Sequence, residues 1–289
     1  TTGSANTVMG YLAADALTTA SNNVAMGNSA LGAGTTGGNN VAIGFNALLS
    51  NTTGVANTAV GSRALDANTT ASNNTAVGYQ ALTENTTGTS NVAVGYNSAD
   101  ANTTGFQNTA IGYLSLTSNT TASNNTALGY NTLGATTTGQ NNVAVGSAAG
   151  ASITTGAENT VAGSLAGDSL TTGLSNTALG YKSLSSDTTG RYSVALGHSA
   201  LENQNFTGNN EAYNVAVGYS AGNDITTGVQ NTLIGGLAGD ALTTGGSNVA
   251  LGYQALTTDT QGSSSVAIGR NALIVQNFTS ATDAFNVAV

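Results

Sequence analysis

The sequence predicts an all-β protein, a parallel β-solenoid of 17-residue coils with two short strands per coil, and three observations carry that expectation. A pentapeptide Asn-(Val/Thr)-Ala-(Val/Ile/Leu)-Gly returns every 17 residues, from Asn23–Gly27 through Asn40–Gly44 and Asn57–Gly61 to Asn142–Gly146 and beyond. A unit this short cannot bury an apolar face alone, so each coil must pack on its neighbours. β-Branched residues fill the apolar slots and Asn, Thr and Gly separate them, while helical periodicity is absent.

With the Asn counted as position 1, the phase runs from residue 6 in steps of 17 to residue 193, then steps by 21 to residue 214. It resumes at 231, 248 and 265, and a second step of 21 reaches Asn286. Position 4 is always apolar, as in Val77, Val94 and Ile111, and is expected to form the buried column together with position 2, which shares its side of an extended strand. Position 3, nearly always Ala (Ala76, Ala93, Ala110), is expected on the opposite side, facing a second layer or another subunit. Position 5 is Gly from Gly10 to Gly269, which predicts a bend or a backbone approach that a Cβ would block. Apolar pairs at positions 8 and 9, such as Ala64-Leu65 and Ala81-Leu82, predict the second strand, and Thr-Thr-Gly runs such as Thr52-Thr53-Gly54 the closing turn. In-register stacking at roughly 4.8 Å would align the position 1 asparagines into a ladder of side-chain amides.

The whole of residues 1–289 reads as a single repeat array, with 142–213 and 214–285 a tandem duplication of 72 residues. Its first and last residues both fall inside a coil, so the sequence is expected to be a window on a longer array or a stack whose ends dock onto something.

Composition bounds the chemistry. With 39 Gly, no Pro, Cys or Trp and 6% charged residues, repetition replaces a conventional core. A net charge of −9 with four basic residues (Arg63, Lys182, Arg191, Arg270) disfavours nucleic acid as a partner. No stretch is long and apolar enough for a membrane-spanning helix, so membrane insertion by this segment is not expected. No cofactor or metal is expected either: thiolate sites are excluded, and Asp15, Asp66, Asp168 and Asp240, which share position 10, lie at least three coils apart. The only His, His198, occupies position 6, the column that holds Tyr79, Tyr96, Tyr113 and Tyr130 elsewhere, and no acid, base and nucleophile converge in sequence; the chain is therefore expected not to be an enzyme.

The Ser-Val-Ala-Ile-Gly run at Ser265–Gly269 and its relative at Ser193–Gly197 resemble the head repeats of trimeric autotransporter adhesins. The fuller unit, Asn74 to Leu82 followed by Asn85-Thr-Thr-Gly88, is similar to repeats of bacterial and phage tail-fibre proteins. The coil here is longer than the usual adhesin head coil. The resemblance implies a left-handed β-roll, three chains to a head, and surface attachment in an extracellular, cell-surface or virion setting. Partners expected on this basis are copies of the chain itself, as a homotrimer or a head-to-tail filament, and a host surface or glycan. A fibrous adhesive protein is the leading function; a self-assembling filament subunit of a biofilm matrix is the alternative, and an ice-binding threonine array a weaker one.

Two features are candidate contact sites. The position 6 column carries an aromatic stripe, Tyr79, Tyr96, Tyr113 and Tyr130, which reads either as cross-strand stabilisation or as a sugar-binding surface. The two 21-residue coils both contain Gln-Asn-Phe-Thr followed by an acid and an aromatic: Phe206 with Glu211 and Tyr213, and Phe278 with Asp283 and Phe285. These read as bulged turns that tuck a Phe over a coil edge, or as ligand-contact loops. Asn-Thr-Thr triplets at Asn51, Asn68, Asn85, Asn102 and Asn119 match the glycosylation sequon.

Overall fold

The protein is described by a computed structural model covering residues 3–208 and 210–289. It divides into two compact units, Thr1–Asn141 and Asn142–Val289; the second begins where the 72-residue duplication begins. Each unit is a parallel β-solenoid of 17-residue coils, and no helix occurs among the described residues. Every coil contributes one three-residue strand at positions 2–4, from Thr7–Met9 to Thr126–Leu128 in the first unit and from Val143–Val145 to Val266–Ile268 in the second. Val287–Ala288 adds a last, two-residue strand. Pairing is parallel and in register, for example Thr75↔Val92, Ala76↔Ala93 and Val77↔Val94. The 21-residue coils keep that register, since Val194 still faces Val215 and Val266 faces Val287.

The expected second strand at positions 8 and 9 is a turn instead. Residues at positions 7 and 9 take left-handed backbone, as in Gln80 (φ 54°) and Leu82 (φ 51°), and position 17 does the same in Asn73 (φ 63°) and Ser90 (φ 60°). Each such non-Gly residue costs on the order of 1 kcal/mol. At position 9 the cost is offset because the Leu side chain is wholly buried, which returns roughly 1.5–3 kcal/mol.

The inside and outside of the strand are the reverse of the sequence expectation. Ala76, Ala93 and Ala110 are fully buried, whereas Val77 and Val94 are half-exposed and Ile111 is exposed. The physical reason is parity. Positions 1 and 3 share one side of the strand, and Asn at position 1 points inward; position 3 must follow, and positions 2 and 4 must point out. The interior is then so narrow that only Ala fits at position 3 in most coils, with Leu at position 9 filling the remaining space.

Two columns of buried asparagine stitch the coils. At position 1, Asn91 N donates to Asn74 Oδ1 at 2.9 Å, and Asn74 Nδ2 reaches Gly88 O of its own coil at 2.9 Å. At position 12, Asn85 Nδ2 donates to Asn68 Oδ1 of the preceding coil (3.1 Å) and to Gly88 O (2.9 Å). Gly88 O thus collects both amides of its coil and closes it. The Thr-Thr-Gly turn is tied vertically as well, Thr86 Oγ1 donating to Thr103 O at 3.1 Å.

Gly at position 5 is required twice over. Gly95 has φ +139°, a conformation reserved for glycine, and a Cβ built on it would lie 2.4 Å from Gly112 O of the next coil. The same contact recurs at Gly78, 2.2 Å from Gly95 O. The backbone approach expected from the sequence is therefore present.

Core volume is conserved even where core residues are not. Four coils of the first unit pair Leu at position 9 with Asn at position 12: Leu48/Asn51, Leu65/Asn68, Leu82/Asn85 and Leu116/Asn119. Four coils of the second unit place Gly at position 9 and Ile or Leu at position 12: Gly150/Ile153, Gly167/Leu170, Gly222/Ile225 and Gly239/Leu242. A Cβ on Gly167 would come 3.0 Å from Leu170 Cδ1, and one on Gly239 2.9 Å from Leu242 Cδ1, so the aliphatic group occupies the space from the other wall.

Gly95→Ala should lower stability by at least about 3 kcal/mol, read as a fall in the denaturation midpoint, because both the backbone conformation and the next coil's carbonyl oppose the methyl. Val92→Thr, at an outward position occupied by Thr in neighbouring coils, should stay within about 0.5 kcal/mol of the parent.

Candidate functional site

The tyrosine column is a face-to-face stack. Tyr79 and Tyr96 have ring centroids 5.2 Å apart, Tyr96 and Tyr113 5.3 Å, and Tyr113 and Tyr130 5.6 Å, with interplanar angles of 16°, 13° and 5°. In-register coils impose this repeat, since the same side chain leaves the same backbone position every 17 residues. The rings are 44–56% exposed. Their faces within the column are covered by one another, so edges and hydroxyls meet solvent. A sugar ring needs an open aromatic face, and the interior rings Tyr96 and Tyr113 offer none. In the second unit the column reads Tyr181, His198, Tyr219, with centroids 5.0 Å and 5.4 Å apart and tilted planes. His198 is thus a stacked, exposed rung, as its position 6 location implies.

The irregular coils hold a duplicated polar cluster that sequence reading missed. Asp187 sits at position 12 and is fully buried. Its Oδ2 accepts from Gln204 Nε2 at 2.6 Å, and its Oδ1 from Gly190 N at 3.0 Å and Phe206 N at 3.3 Å. Gln204 Nε2 also donates to Ser193 Oγ (2.9 Å), and Gln204 Oε1 accepts from Asn214 Nδ2 (2.9 Å). Ser193 stands where other coils have the position 1 Asn, and the longer Gln from position 12 supplies the missing amide. Asp is demanded at 187 by this arrangement: Gln204 directs its oxygen at Asn214, so its nitrogen needs an acceptor. The second copy repeats every bond. Gln276 Nε2 lies 2.6 Å from Asp259 Oδ2 and 3.0 Å from Ser265 Oγ, and Asn286 Nδ2 lies 2.7 Å from Gln276 Oε1. The available signal was the column itself, Ile-Leu-Asp-Gln at position 12, written twice along the second unit.

The candidate contact residues fall on both sides of this cluster. Phe206 is buried, only 2% exposed, and its carbonyl accepts from both Thr188 Oγ1 and Thr189 Oγ1 at 2.7 Å. Phe278 makes the matching backbone bond to Asp259 Oδ1 (3.0 Å) and is half-buried. Glu211 and Tyr213 are exposed, and the Tyr213 hydroxyl donates to Glu211 Oε2 at 2.9 Å. That bond holds the phenolic proton and raises the Tyr213 pKa above its ordinary value. Tyr213 also stacks on Tyr192, 5.3 Å away, a pairing the sequence reading did not contain. Asp283 and Phe285 are exposed, and Thr282–Asp283 pairs with Gly262–Ser263 as an extra two-residue ladder. The bridge between Arg191 and Glu211 is its counterpart in the first copy.

The sequon asparagines are not on the surface. Asn51, Asn68, Asn85, Asn102 and Asn119 are fully buried in the position 12 column, where Asn119 Nδ2, for one, donates to Asn102 Oδ1 at 2.7 Å. The folded stack presents none of these amides for glycosylation.

Charge is kept off the position 2–4 strands. No Asp or Glu occupies positions 1 to 9 of any coil. Around positions 7–11 lie two shallow polar depressions, one of about 250 Å³ beside Lys182, Asp168 and Glu202, the other of about 230 Å³ beside Arg63, Asp66 and Glu84. Their bases are engaged, Lys182 with Glu202 at 3.4 Å and Arg63 with Asp66 at 3.1 Å. Burial raises the pKa of Asp168, Asp187 and Asp240; hydrogen bonds from Gln204 and the backbone oppose it at Asp187, and one from Thr257 at Asp240. Among the described residues no group of three or more His, Cys, Asp or Glu side chains is placed to hold a metal ion, and no helix is long and apolar enough to cross a membrane. No protein-family model and no characterised protein matches this chain.

Gln204→Leu keeps the volume but strips the side-chain donor from Oδ2 of a buried carboxylate, leaving the two backbone donors on Oδ1, and takes one bond each from Ser193 and Asn214. It should cost about 3 kcal/mol in chemical denaturation, and Gln276→Leu, at a half-buried site, less. A carboxyl whose pKa is higher folded than unfolded binds its proton more tightly in the fold. Its contribution is therefore complete below the unfolded value of 3.8 and is lost as pH rises through the folded value. Between those two values the Asp187 contribution should grow on acidification, so the gap in melting temperature between the parent and Asp187→Asn should shift in the parent's favour as pH falls through that window.

Proposed function

We propose that this chain is a non-enzymatic structural and adhesive protein, part of the head or shaft of a surface adhesin or tail fibre, and that it works as a homo-oligomer, most simply a trimer. The supporting observation is the outward side of the strands. Positions 2 and 4 set half-exposed Val, Thr, Ile and Leu in unbroken columns along each unit, for instance Ile111, Leu128, Val143, Val145, Leu179, Ile234 and Leu251, each at least 36% exposed. An apolar surface of this extent normally meets another protein surface. The acids sit outside positions 1 to 9, so two copies carrying −9 each can approach along these columns with the least repulsion. The interface thus belongs to positions 2 and 4 and not to the position 3 alanines, which are inside the coil. The extracellular setting rests on the likeness of the coil to adhesin-head and tail-fibre repeats.

Sedimentation tests the assembly. The parent should run as one closed oligomer at micromolar concentration, and Val94→Lys with Ile111→Lys should release monomers with an unchanged circular dichroism spectrum, because both side chains point outward. A parent that stays monomeric over a wide concentration range would refute the oligomer.

A further inference from the structure

The tyrosine stack has a geometry that reaches beyond stabilisation. Tyr79, Tyr96, Tyr113 and Tyr130 are parallel, separated by 5.2–5.6 Å, and 44–56% exposed along their edges. In-register copies of one side chain bring the ring carbons ortho to the hydroxyl of one rung over those of the next. Bond formation requires a ring to turn about its side-chain bonds and close the remaining gap, and residues 44–56% exposed are not enclosed by packing on every side. Neighbouring phenols are held on adjacent rungs of one chain, at an effective concentration on the order of millimolar or more, well above micromolar protein in solution.

We propose that this column is an oxidative cross-linking site, at which adjacent tyrosines couple to dityrosine and staple successive coils covalently. The oxidant is a haem peroxidase using hydrogen peroxide. Each of two neighbouring phenols gives up one electron and its hydroxyl proton. The two phenoxyl radicals join through a carbon–carbon bond between ortho positions, and the two ortho hydrogens move to the oxygens as the rings regain aromaticity. Two tyrosines and one peroxide thus yield one dityrosine and two waters. The position 6 column of the second unit supplies an internal contrast, because His198 separates Tyr181 from Tyr219 there, whereas Tyr192 and Tyr213, stacked at 5.3 Å outside that column, form a further adjacent pair open to the same coupling. The proposal does not rest on the assembly suggested above.

The test treats the full chain with peroxidase and hydrogen peroxide over a hundredfold range of protein concentration, then denatures it and digests it with an acid-specific protease. Cleavage at Glu84 and Asp100 places Tyr79, Tyr96 and Tyr113 on separate peptides. A linked pair therefore appears at the summed mass less two hydrogens, and a Tyr113–Tyr130 link as a loss of two hydrogens from one peptide. The expected result is dityrosine within this column, in monomeric chains, at a rate independent of concentration. Tyr96→Phe with Tyr130→Phe keeps every ring in the stack but leaves no adjacent phenols there, and should abolish the linked peptides from this region. Tyr79→Phe should retain them. Linked peptides from this region that survive in the Tyr96/Tyr130 double variant, coupling only between chains, or no coupling in this column would overturn the proposal.

Discussion

The asparagine at position 1 decides the rest of the coil. Its carboxamide oxygen accepts the backbone N–H of the next coil's asparagine, and its nitrogen reaches across the coil to the position 15 carbonyl, as Asn74 does with Asn91 and Gly88. Both bonds exist only if the side chain points inward. Strand alternation then puts position 3 inside and positions 2 and 4 outside, and the interior becomes a narrow slot with room for Ala on one wall and Leu on the other. A buried amide without partners would be costly, on the order of 1–3 kcal/mol. In a stack each amide finds the same partners at every rung, so the polar interior stabilises the fold and fixes its register at once.

Two exchanges show that this interior is a constraint on totals and not on identities. The aliphatic group can enter from position 9 or from position 12, as Leu82 with Asn85 and Gly167 with Leu170 demonstrate. A carboxamide can likewise enter from position 1 or from position 12, as where Ser193 is complemented by Gln204. In each case atoms leave one column and are restored in the other, and packing density and hydrogen-bond pairing survive. The longer coils fit the same logic: four extra residues are accommodated outside the strand register while Asp187 and Gln204 maintain the buried network through them.

The period, the parallel coil and the reason for glycine at position 5 were legible in the sequence because each depends on spacing or on a missing Cβ, and both are written directly in the residue string. The inside of the strand was not. A hydrophobicity argument places Val77 and Val94 in the core and leaves Ala76 outside, and it fails because the decisive residue is polar. Had the ladder expected of Asn74 and Asn91 been placed inside the coil and combined with strand parity, Val77 and Val94 could not have been assigned to the same side. The second strand was misread for a related reason: Ala81-Leu82 looks like a strand, but Leu82 is buried from left-handed backbone, a conformation that propensity assigns to glycine or asparagine. At the contact sites, the stacked position of His198 followed from its column, whereas the Asp187–Gln204 cluster required pairs of columns to be compared together.

Turning the strand inside out also redistributes chemistry over the surface. With Ala inside, the larger aliphatic residues are left outside on an uncharged strip, and the acids lie at positions 10 to 12, at position 17 in Glu158, and in the extra residues of the longer coils. The tyrosines stand just beyond the glycine bend, at the margin of that strip. A second copy seated on positions 2 and 4 would bury aliphatic side chains that gain by leaving water, whereas the phenols of position 6 keep their hydroxyls wet only if they remain at the rim. In the assembly and cross-linking proposed above, the same alternation that encloses the alanines would separate two roles along one coil: association on the strand face, and chemistry acting from solvent on the exposed tyrosines.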